Sequence, residues 1–243
     1  MKGISDMTTL TDGDMLHARN LSKHFVLHNQ GGIRIDVFTA LDVSVARGEC
    51  VILTGPSGSG KSTLLRSLYA NYKPNEGQVL VRHGDRVVDL CTAEPHEIVE
   101  VRRDTLGYVS QFLRVIPRVP SLELVMAPLM ARGVAEDSAR ERSQVILDRL
   151  RIPETLWSLP PATFSGGEQQ RVNIAMSFVQ DYPILLLDEP TASLDADNRK
   201  TVIALIQEAK ARGAAVAGIF HDAEVREAVG DRNFEMTEVR RAA

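Results

Sequence analysis

The chain of 243 residues has few cysteines, few aromatic residues and no excess of positive charge. Its two cysteines, Cys50 and Cys91, are too few for a disulfide framework or an iron–sulfur cluster, so we expect a reduced, cytoplasmic compartment. The net charge of −4 argues against nucleic acid as a partner, because dedicated binders are usually basic. No apolar run reaches the roughly 18 residues of a membrane-spanning helix, and residues 1–14 lack the apolar core of a secretion signal.

Three short apolar runs indicate where buried strands lie. They cover residues 50–53, 184–187 and 214–220, and each is followed by glycine or polar residues. Helical periodicity follows the first run at residues 61–69 and precedes the third at residues 198–212. Strands that alternate with helices predict an α/β fold with a mostly parallel core sheet.

The rest of the chain completes a single predicted domain. Alternating residues before residue 54 and paired valines at residues 79–88 predict an antiparallel β subdomain. Helical patterns interrupted by prolines predict an inserted helical lobe. The predicted boundaries are a flexible N-terminus at residues 1–14, the domain at 15–235, the lobe at about 113–178 and a tail at 236–243.

A glycine-rich segment follows the first apolar run, and it fits the pattern G-x-x-x-x-G-K-[ST] of a P-loop. Its glycines let backbone N–H groups surround the β- and γ-phosphates of a nucleotide, while the following helix directs its positive end at them. Lys61 adds a mobile charge, the Ser62 hydroxyl can bind Mg²⁺, and Thr63 is predicted to hold the α-phosphate. The predicted cofactors are ATP and Mg²⁺. The segment reads Gly55-Pro56-Ser57-Gly58-Ser59-Gly60-Lys61-Ser62.

Two acidic residues, Asp188 and Glu189, end the second apolar run. In a P-loop protein, an aspartate at the end of a buried strand holds Mg²⁺ through its water shell. The next residue is then placed to orient or deprotonate an attacking water. Two acids can also simply end a strand, but the P-loop in the same chain favours the catalytic interpretation.

These motifs resemble those of an ABC-type ATPase over about residues 15–235, which implies a P-loop NTPase fold. The resemblance implies that Phe25 stacks on adenine, with Phe38 as the alternative. It implies that Gln111 contacts Mg²⁺ and the attacking water, and that His221 contacts the γ-phosphate. The further segments that carry the resemblance are Phe164-Ser165-Gly166-Gly167-Glu168-Gln169-Gln170-Arg171 and Ser193-Leu194-Asp195.

The segment Ser165-Gly166-Gly167-Glu168 is implied to face the nucleotide of a second ABC subunit, with Asp195 at the same seam. Small residues at a helix start expose N–H groups that suit a γ-phosphate. One P-loop and one such segment cannot complete a site alone, so we expect a head-to-tail homo- or heterodimer. Glu168 stands where many members have Gln, and Met176 where most have Arg; the first is expected to tune activity, and the second to remove an ion pair.

Three variable segments are similar to the ABC protein of the carbon–phosphorus lyase system, and they cover residues 107–119, 170–175 and 218–222. This similarity implies a role in transferring ribose triphosphate from ATP to an alkylphosphonate, with the phosphonate lyase core subunits as partners. The alternative is the ATPase subunit of a lipoprotein-release or macrolide-export transporter, docked on transmembrane subunits. A non-catalytic nucleotide sensor is a third hypothesis.

Overall fold

The computed structural model describes residues 9–27, 31–111 and 117–237. Two sheets form the framework. The first is a four-stranded antiparallel sheet, and the second is a five-stranded sheet whose paired strands are parallel. The strands are β1 (Asp14–Leu27), β2 (Ile33–Ala46), β3 (Cys50–Thr54), β4 (Glu76–His83), β5 (Arg86–Asp89), β6 (Leu106–Val109), β7 (Ile184–Asp188), β8 (Ala215–Ile219) and β9 (Arg232–Glu235).

The strand orders are β2-β1-β4-β5 in the antiparallel sheet and β6-β7-β8-β3-β9 in the parallel sheet. Helices surround the parallel sheet, and three of them, α3, α4 and α5, pack on one another as the helical lobe. The predicted fold class, including the antiparallel subdomain and the inserted lobe, is confirmed. The helices are α1 (Lys61–Leu68), α2 (Pro95–Asp104), α3 (Ser121–Met130), α4 (Glu136–Arg149), α5 (Gly166–Phe178), α6 (Ala196–Ala211) and α7 (Ala223–Val229), with short 3₁₀ turns at Glu154–Leu156 and Pro161–Thr163.

The central strands of the parallel sheet, β3, β7 and β8, are buried, which explains their continuous apolar sequences. Along β7, Leu185 and Leu187 belong to an apolar cluster with residues of the helical lobe. Ile184 and Leu186, on the other face, belong to a cluster with α1 and the antiparallel sheet. Cys50 is also fully buried, and burial raises the pKa of its thiol to about 12. It is therefore a core residue, as the sequence predicts.

The carboxyl ends of β3, β7 and β8 lie side by side at one edge of the parallel sheet, because the three strands are neighbours in parallel register. The loop after β3 leads into α1, β7 ends at Asp188, and His221 follows β8. Ligand sites of open α/β sheets lie at this edge. The topology thus gathers the predicted motifs from distant parts of the chain.

Both ends of the chain lie partly outside the described residues, which exclude residues 1–8 and 238–243. Met236, at the start of the predicted tail, is buried, and its amide donates to the carbonyl oxygen of Thr54 over 2.9 Å. No helix within the described ranges is long and apolar enough to cross a membrane.

Candidate nucleotide-binding site

The loop between β3 and α1 needs glycine for two separate physical reasons. Gly55, Gly58 and Gly60 have φ angles of 133°, 82° and 92°, a region that side chains rarely adopt. A Cβ atom on Gly60 would also lie 2.6 Å from Val37 Cγ1, and one on Gly55 would collide with the carbonyl oxygen of Met236. The loop therefore passes close to its neighbours in a backbone conformation that suits glycine.

Helix α1 begins at Lys61, and no side chain of the described residues caps its N-terminus. The Lys61 ammonium donates to the carbonyl oxygens of Gly55 and Pro56 over 2.8 and 2.7 Å, so it lies directly at the loop. The Ser59 hydroxyl is buried and has no hydrogen-bond partner among the described residues. An uncapped helix start, a lysine and glycine-rich backbone are together suited to bind phosphate groups.

These groups open into a cleft of about 530 Å³. Its walls bring together most of the predicted ATP-binding residues and two residues from the ends of β7 and β8. The cleft is therefore bounded by phosphate-binding groups on one side and by predicted catalytic groups on the other. The lining residues are Val37, Gly55, Ser57, Gly58, Gly60, Lys61, Ser62, Thr63, Glu189 and His221.

Asp188 is fully buried and contacts Ser62, one of the residues that line this cleft. The Ser62 hydroxyl donates to its Oδ1 over 2.9 Å, and the Tyr108 hydroxyl donates to its Oδ2 over 3.1 Å. Burial raises the pKa of Asp188, and the two hydrogen bonds oppose that rise. The hydroxyl and carboxylate are oxygen ligands of the kind that Mg²⁺ prefers, and Mg²⁺ usually takes its remaining ligands from water and phosphate.

This arrangement fits the predicted magnesium ligands Ser62 and Asp188. Gln111, the third predicted ligand, directs its amide nitrogen to Glu189 instead, 3.0 Å from Oε2. The described part of the chain contains no group of three or more His, Cys, Asp or Glu side chains that could hold a metal ion. Ser62 and Asp188 would thus hold Mg²⁺ together with the phosphates of a nucleotide.

Three predicted catalytic residues meet at the mouth of the cleft. The Glu189 carboxylate accepts the bond from Gln111 Nε2, and its Oε1 lies 2.7 Å from His221 Nε2. The Glu189 side chain is 17% exposed and that of His221 is 66% exposed, so the cluster faces solvent at one side. Glu189 has a φ angle of 53°, and its amide donates to the carbonyl oxygen of Ile219 over 3.1 Å. The backbone thus holds this carboxylate at the end of β7, where it could accept a proton from a water molecule.

A second, more exposed surface surrounds the start of α5. Ser165 is the N-cap residue, and its amide and hydroxyl both donate to Glu168 Oε2, over 2.8 and 2.7 Å. These bonds form a capping box, which gives Glu168 a local structural role and lowers the pKa of its carboxyl. A Cβ atom on Gly166 would have no neighbour within 4 Å, whereas one on Gly167 would lie 3.1 Å from the carbonyl oxygen of Ser193.

Asp195 is exposed, and it follows two residues after Ser193, whose carbonyl oxygen lies close to Gly167. It is the N-cap residue of α6 and accepts hydrogen bonds from the backbone and the side chain of Asn198, over 2.8 and 2.9 Å. The backbone bond is the main reason that the pKa of Asp195 is lowered. The contact of Ser165, Gly166, Gly167, Glu168 and Asp195 with a second subunit stays a prediction.

Phe25, the predicted adenine-stacking residue, is half-buried on β1. Its ring makes an edge contact with Tyr72, with 5.4 Å between the ring centroids, and the Lys23 ammonium lies 4.7 Å from the ring centre. The alternative residue, Phe38, is 4% exposed and belongs to an apolar cluster, so its ring has little surface for a nucleobase. The role of Phe25 stays a prediction.

Three residues near the site were not singled out from the sequence as site residues. Tyr108 binds Asp188, as described above, while the buried side chains of Gln170 and Asn173 extend from α5. Gln170 Nε2 donates to the carbonyl oxygen of Pro190 over 3.2 Å, and Asn173 Nδ2 to that of Ser110 over 2.7 Å. They tie α5 to the segments that carry Gln111 and Glu189. No separate signal in the sequence marked the two amides, because α5 also carries the polar residues Glu168, Gln169 and Arg171.

Met176, the other departure from the family pattern, lies on the same helix. It is half-buried and packs against the large apolar cluster that contains the helical lobe. Its side chain therefore adds apolar contact at a position where the family usually has a charge.

Comparison with known proteins places this site in a family. A sequence model described as ABC transporter matches residues 38–192, which is more than half of the chain. The chain is 38% identical over 192 residues to the lipoprotein-releasing system ATP-binding protein LolD of Maricaulis maris, covering 79% of this chain and 82% of LolD. It is 34% identical over 212 residues to an uncharacterized ABC transporter ATP-binding protein of Mycobacterium tuberculosis, covering 87% of this chain but only 62% of that protein.

A solved structure gives the same result. The ATP-binding cassette MJ0796, in a dimeric post-hydrolysis state bound to ADP and Pi, matches with a TM-score of 0.83 and 30% identity, covering 93% of this chain and 97% of that chain. Fold and site together define an ABC nucleotide-binding domain of the P-loop NTPase fold. The chain belongs to the ABC transporter ATPase family.

Proposed function

We propose that this chain hydrolyses MgATP as one of two cassettes and thereby drives a partner assembly. The observation that carries this proposal is the convergence of Gln111 and His221 on the Glu189 carboxylate at the mouth of the P-loop cleft. A binding protein without catalysis would need the phosphate cradle but would have no need for this cluster.

In this proposal each group has a defined role. Lys61 and the loop N–H groups bind the β- and γ-phosphates, and Glu189 accepts a proton from the attacking water while His221 and Gln111 hold its carboxylate. Bound Mg²⁺ supplies electrostatic stabilisation of the phosphates, with Ser62 and Asp188 as its protein ligands. Phe25 supplies a surface for the adenine ring.

The second cassette completes the site. The exposed start of α5 carries N–H groups and the Ser165 hydroxyl, which suit a γ-phosphate, but it belongs to a different surface from the P-loop cleft. In a head-to-tail pair, Ser165 of each subunit would close the nucleotide site of the other. The matching cassette MJ0796 has solved dimeric structures, which supports this arrangement.

The relatives favour a transporter as the driven assembly. Two LolD proteins, from Maricaulis maris and Idiomarina loihiensis, align with 79% and 90% of this chain, respectively. Their names describe lipoprotein release, so we propose that this chain powers a membrane transporter of that type and docks on its transmembrane subunits. The site would then lie in the cytoplasm, where ATP is available.

A second candidate is the carbon–phosphorus lyase system, and one contact favours keeping it. Two of the segments that carry that similarity meet in the structure, because Asn173 on α5 binds the carbonyl oxygen of Ser110. The similar segment continues through residues 112–116, which lie outside the described residues. These two segments, residues 107–119 and 170–175, lie beside Gln111, where a bound partner could influence catalysis. Their similarity to the carbon–phosphorus lyase protein therefore bears on which partner the chain binds.

Purification from the native cell separates the two candidates. The tagged chain with Glu189→Gln, in which hydrolysis is slowed, is captured in the presence of MgATP, and its partners are identified by mass spectrometry. Recovery of integral membrane subunits supports the transporter, whereas recovery of soluble phosphonate lyase subunits supports the second candidate. Lys61→Ala serves as the matched control, because partners that depend on bound nucleotide should be lost with it.

A further inference from the structure

Tyr108 is the one tyrosine among the described residues whose hydroxyl bonds to Asp188. It lies on β6, opposite Leu186 of β7 in parallel register, two residues before Asp188. Its hydroxyl donates to Asp188 Oδ2 over 3.1 Å, while Ser62 on the other side donates to Oδ1 over 2.9 Å. The two carboxylate oxygens thus have different partners, one from the P-loop helix and one from the neighbouring strand.

The ring of Tyr108 is held in place by further contacts. It stacks on Tyr69, with the ring centroids 4.9 Å apart and an angle of 23° between the ring planes. Arg102 lies over the Tyr69 ring at 4.8 Å and donates to the Tyr69 carbonyl oxygen over 3.0 Å. This stack fixes the direction of the hydroxyl, because an aromatic ring packed on its face has little freedom to move.

The Tyr108 hydroxyl has one proton to donate, and Asp188 Oδ2 lies within hydrogen-bond distance of it. A neutral phenol donates one hydrogen bond, so the Asp188 carboxylate is the acceptor that this proton serves. Arg66 lies in the last turn of α1, where its guanidinium donates to the Tyr72 hydroxyl over 3.3 Å.

We propose that Tyr108 is a positioning residue for the Asp188 carboxylate: by holding Oδ2 it leaves Oδ1 directed to Ser62 and to the Mg²⁺ of the bound nucleotide. This inference rests on the proposed function. Mg²⁺ requires nearly ideal octahedral geometry, so a carboxylate that rotates out of place weakens its binding. Without Tyr108, the buried Oδ2 loses its donor and the carboxylate loses one of its two fixed points.

The test is the magnesium dependence of nucleotide binding, measured with a fluorescent, slowly hydrolysed ATP analogue. Tyr108→Phe keeps the ring and removes only the hydroxyl. Tyr69→Phe is the matched control, because it alters the other ring of the same stack, which has no bond to Asp188. Thermal unfolding of both variants checks that the stack is retained.

We expect Tyr108→Phe to raise the Mg²⁺ concentration at half-saturation about three- to tenfold, the effect of one hydrogen bond. Binding of the analogue in EDTA, without Mg²⁺, should stay unchanged, and Tyr69→Phe should match the wild type in both conditions. An unchanged Mg²⁺ dependence for Tyr108→Phe overturns the inference, and so does an equal change in both variants, which would indicate packing alone. If the wild-type chain itself binds no analogue, the proposed function fails instead.

Discussion

The two surfaces that we propose to bind phosphate are built in different ways. The P-loop cleft is concave, and it is connected through hydrogen bonds to a buried carboxylate, since Ser62 reaches Asp188 across the sheet edge. The start of α5 is exposed, and its Ser165 is satisfied by Glu168, a residue of the same turn. From this difference we expect the cleft to bind a nucleotide within one chain, and the α5 surface to contribute only when it meets a second cassette.

The largest effect is expected at the catalytic cluster of the cleft. Glu189→Gln should lower the steady-state turnover of ATP by about 10²–10⁴, because an amide cannot accept the proton of water. Binding of MgATP should be retained, as measured by calorimetry. Turnover close to that of the wild type would show that the cleft does not use Glu189 as its base.

A smaller effect is expected on binding at the cleft. Lys61→Ala removes a charged donor at the loop and should weaken MgATP binding at least tenfold, consistent with about 1.5–3 kcal/mol for a hydrogen bond to a charged group. Equilibrium binding of a fluorescent analogue measures it. Asp195→Ala, on the exposed surface, is the control and should bind MgATP like the wild type. Equal losses of affinity in both variants would contradict the assignment of nucleotide binding to the cleft.

The exposed surface is tested by Ser165→Arg. A long charged side chain at the start of α5 should prevent the pairing of two cassettes, while the monomer folds and binds ATP as before. Light scattering of the Glu189→Gln chain, with and without Ser165→Arg, measures ATP-dependent dimerisation. Should the double variant still dimerise with ATP, the α5 surface would not be the contact.

The smallest effects concern stability and compare one glycine from each surface. Gly60→Ala should destabilise the fold by about 1–3 kcal/mol, because its φ angle is 92° and its Cβ would press on Val37. Gly166→Ala should change stability by less than about 0.5 kcal/mol, since nothing lies within 4 Å of the added atom. Urea unfolding measures both, and similar losses would contradict the distinction between a tight and an open surface.

The fold and the position of the P-loop could be predicted from the sequence, because both depend on local patterns. The apolar run before Asp188 predicts a buried strand, and the spacing from Gly55 to Ser62 defines the loop and the helix start. The parallel sheet then brings them to one edge by topology. The capping box of Ser165 and Glu168 was not predicted, although its pattern S-x-x-E is local.

Contacts between distant segments could not be predicted in the same way. The bond of Tyr108 to Asp188 depends on the register of two strands that are 80 residues apart in the chain. The burial of Phe38, which leaves Phe25 as the accessible ring, depends on how the antiparallel sheet packs on α1. The burial of Met236 similarly depends on its pairing with the end of β3. Periodicity describes one segment at a time and carries no such information.

The most direct measurement of the central claim is a calorimetric titration of the wild-type chain with a slowly hydrolysed ATP analogue and Mg²⁺. The account predicts saturable binding with one nucleotide for each chain, because each chain carries one P-loop cleft with the proposed magnesium ligands Ser62 and Asp188 beside it. The absence of any binding heat at millimolar analogue would contradict it.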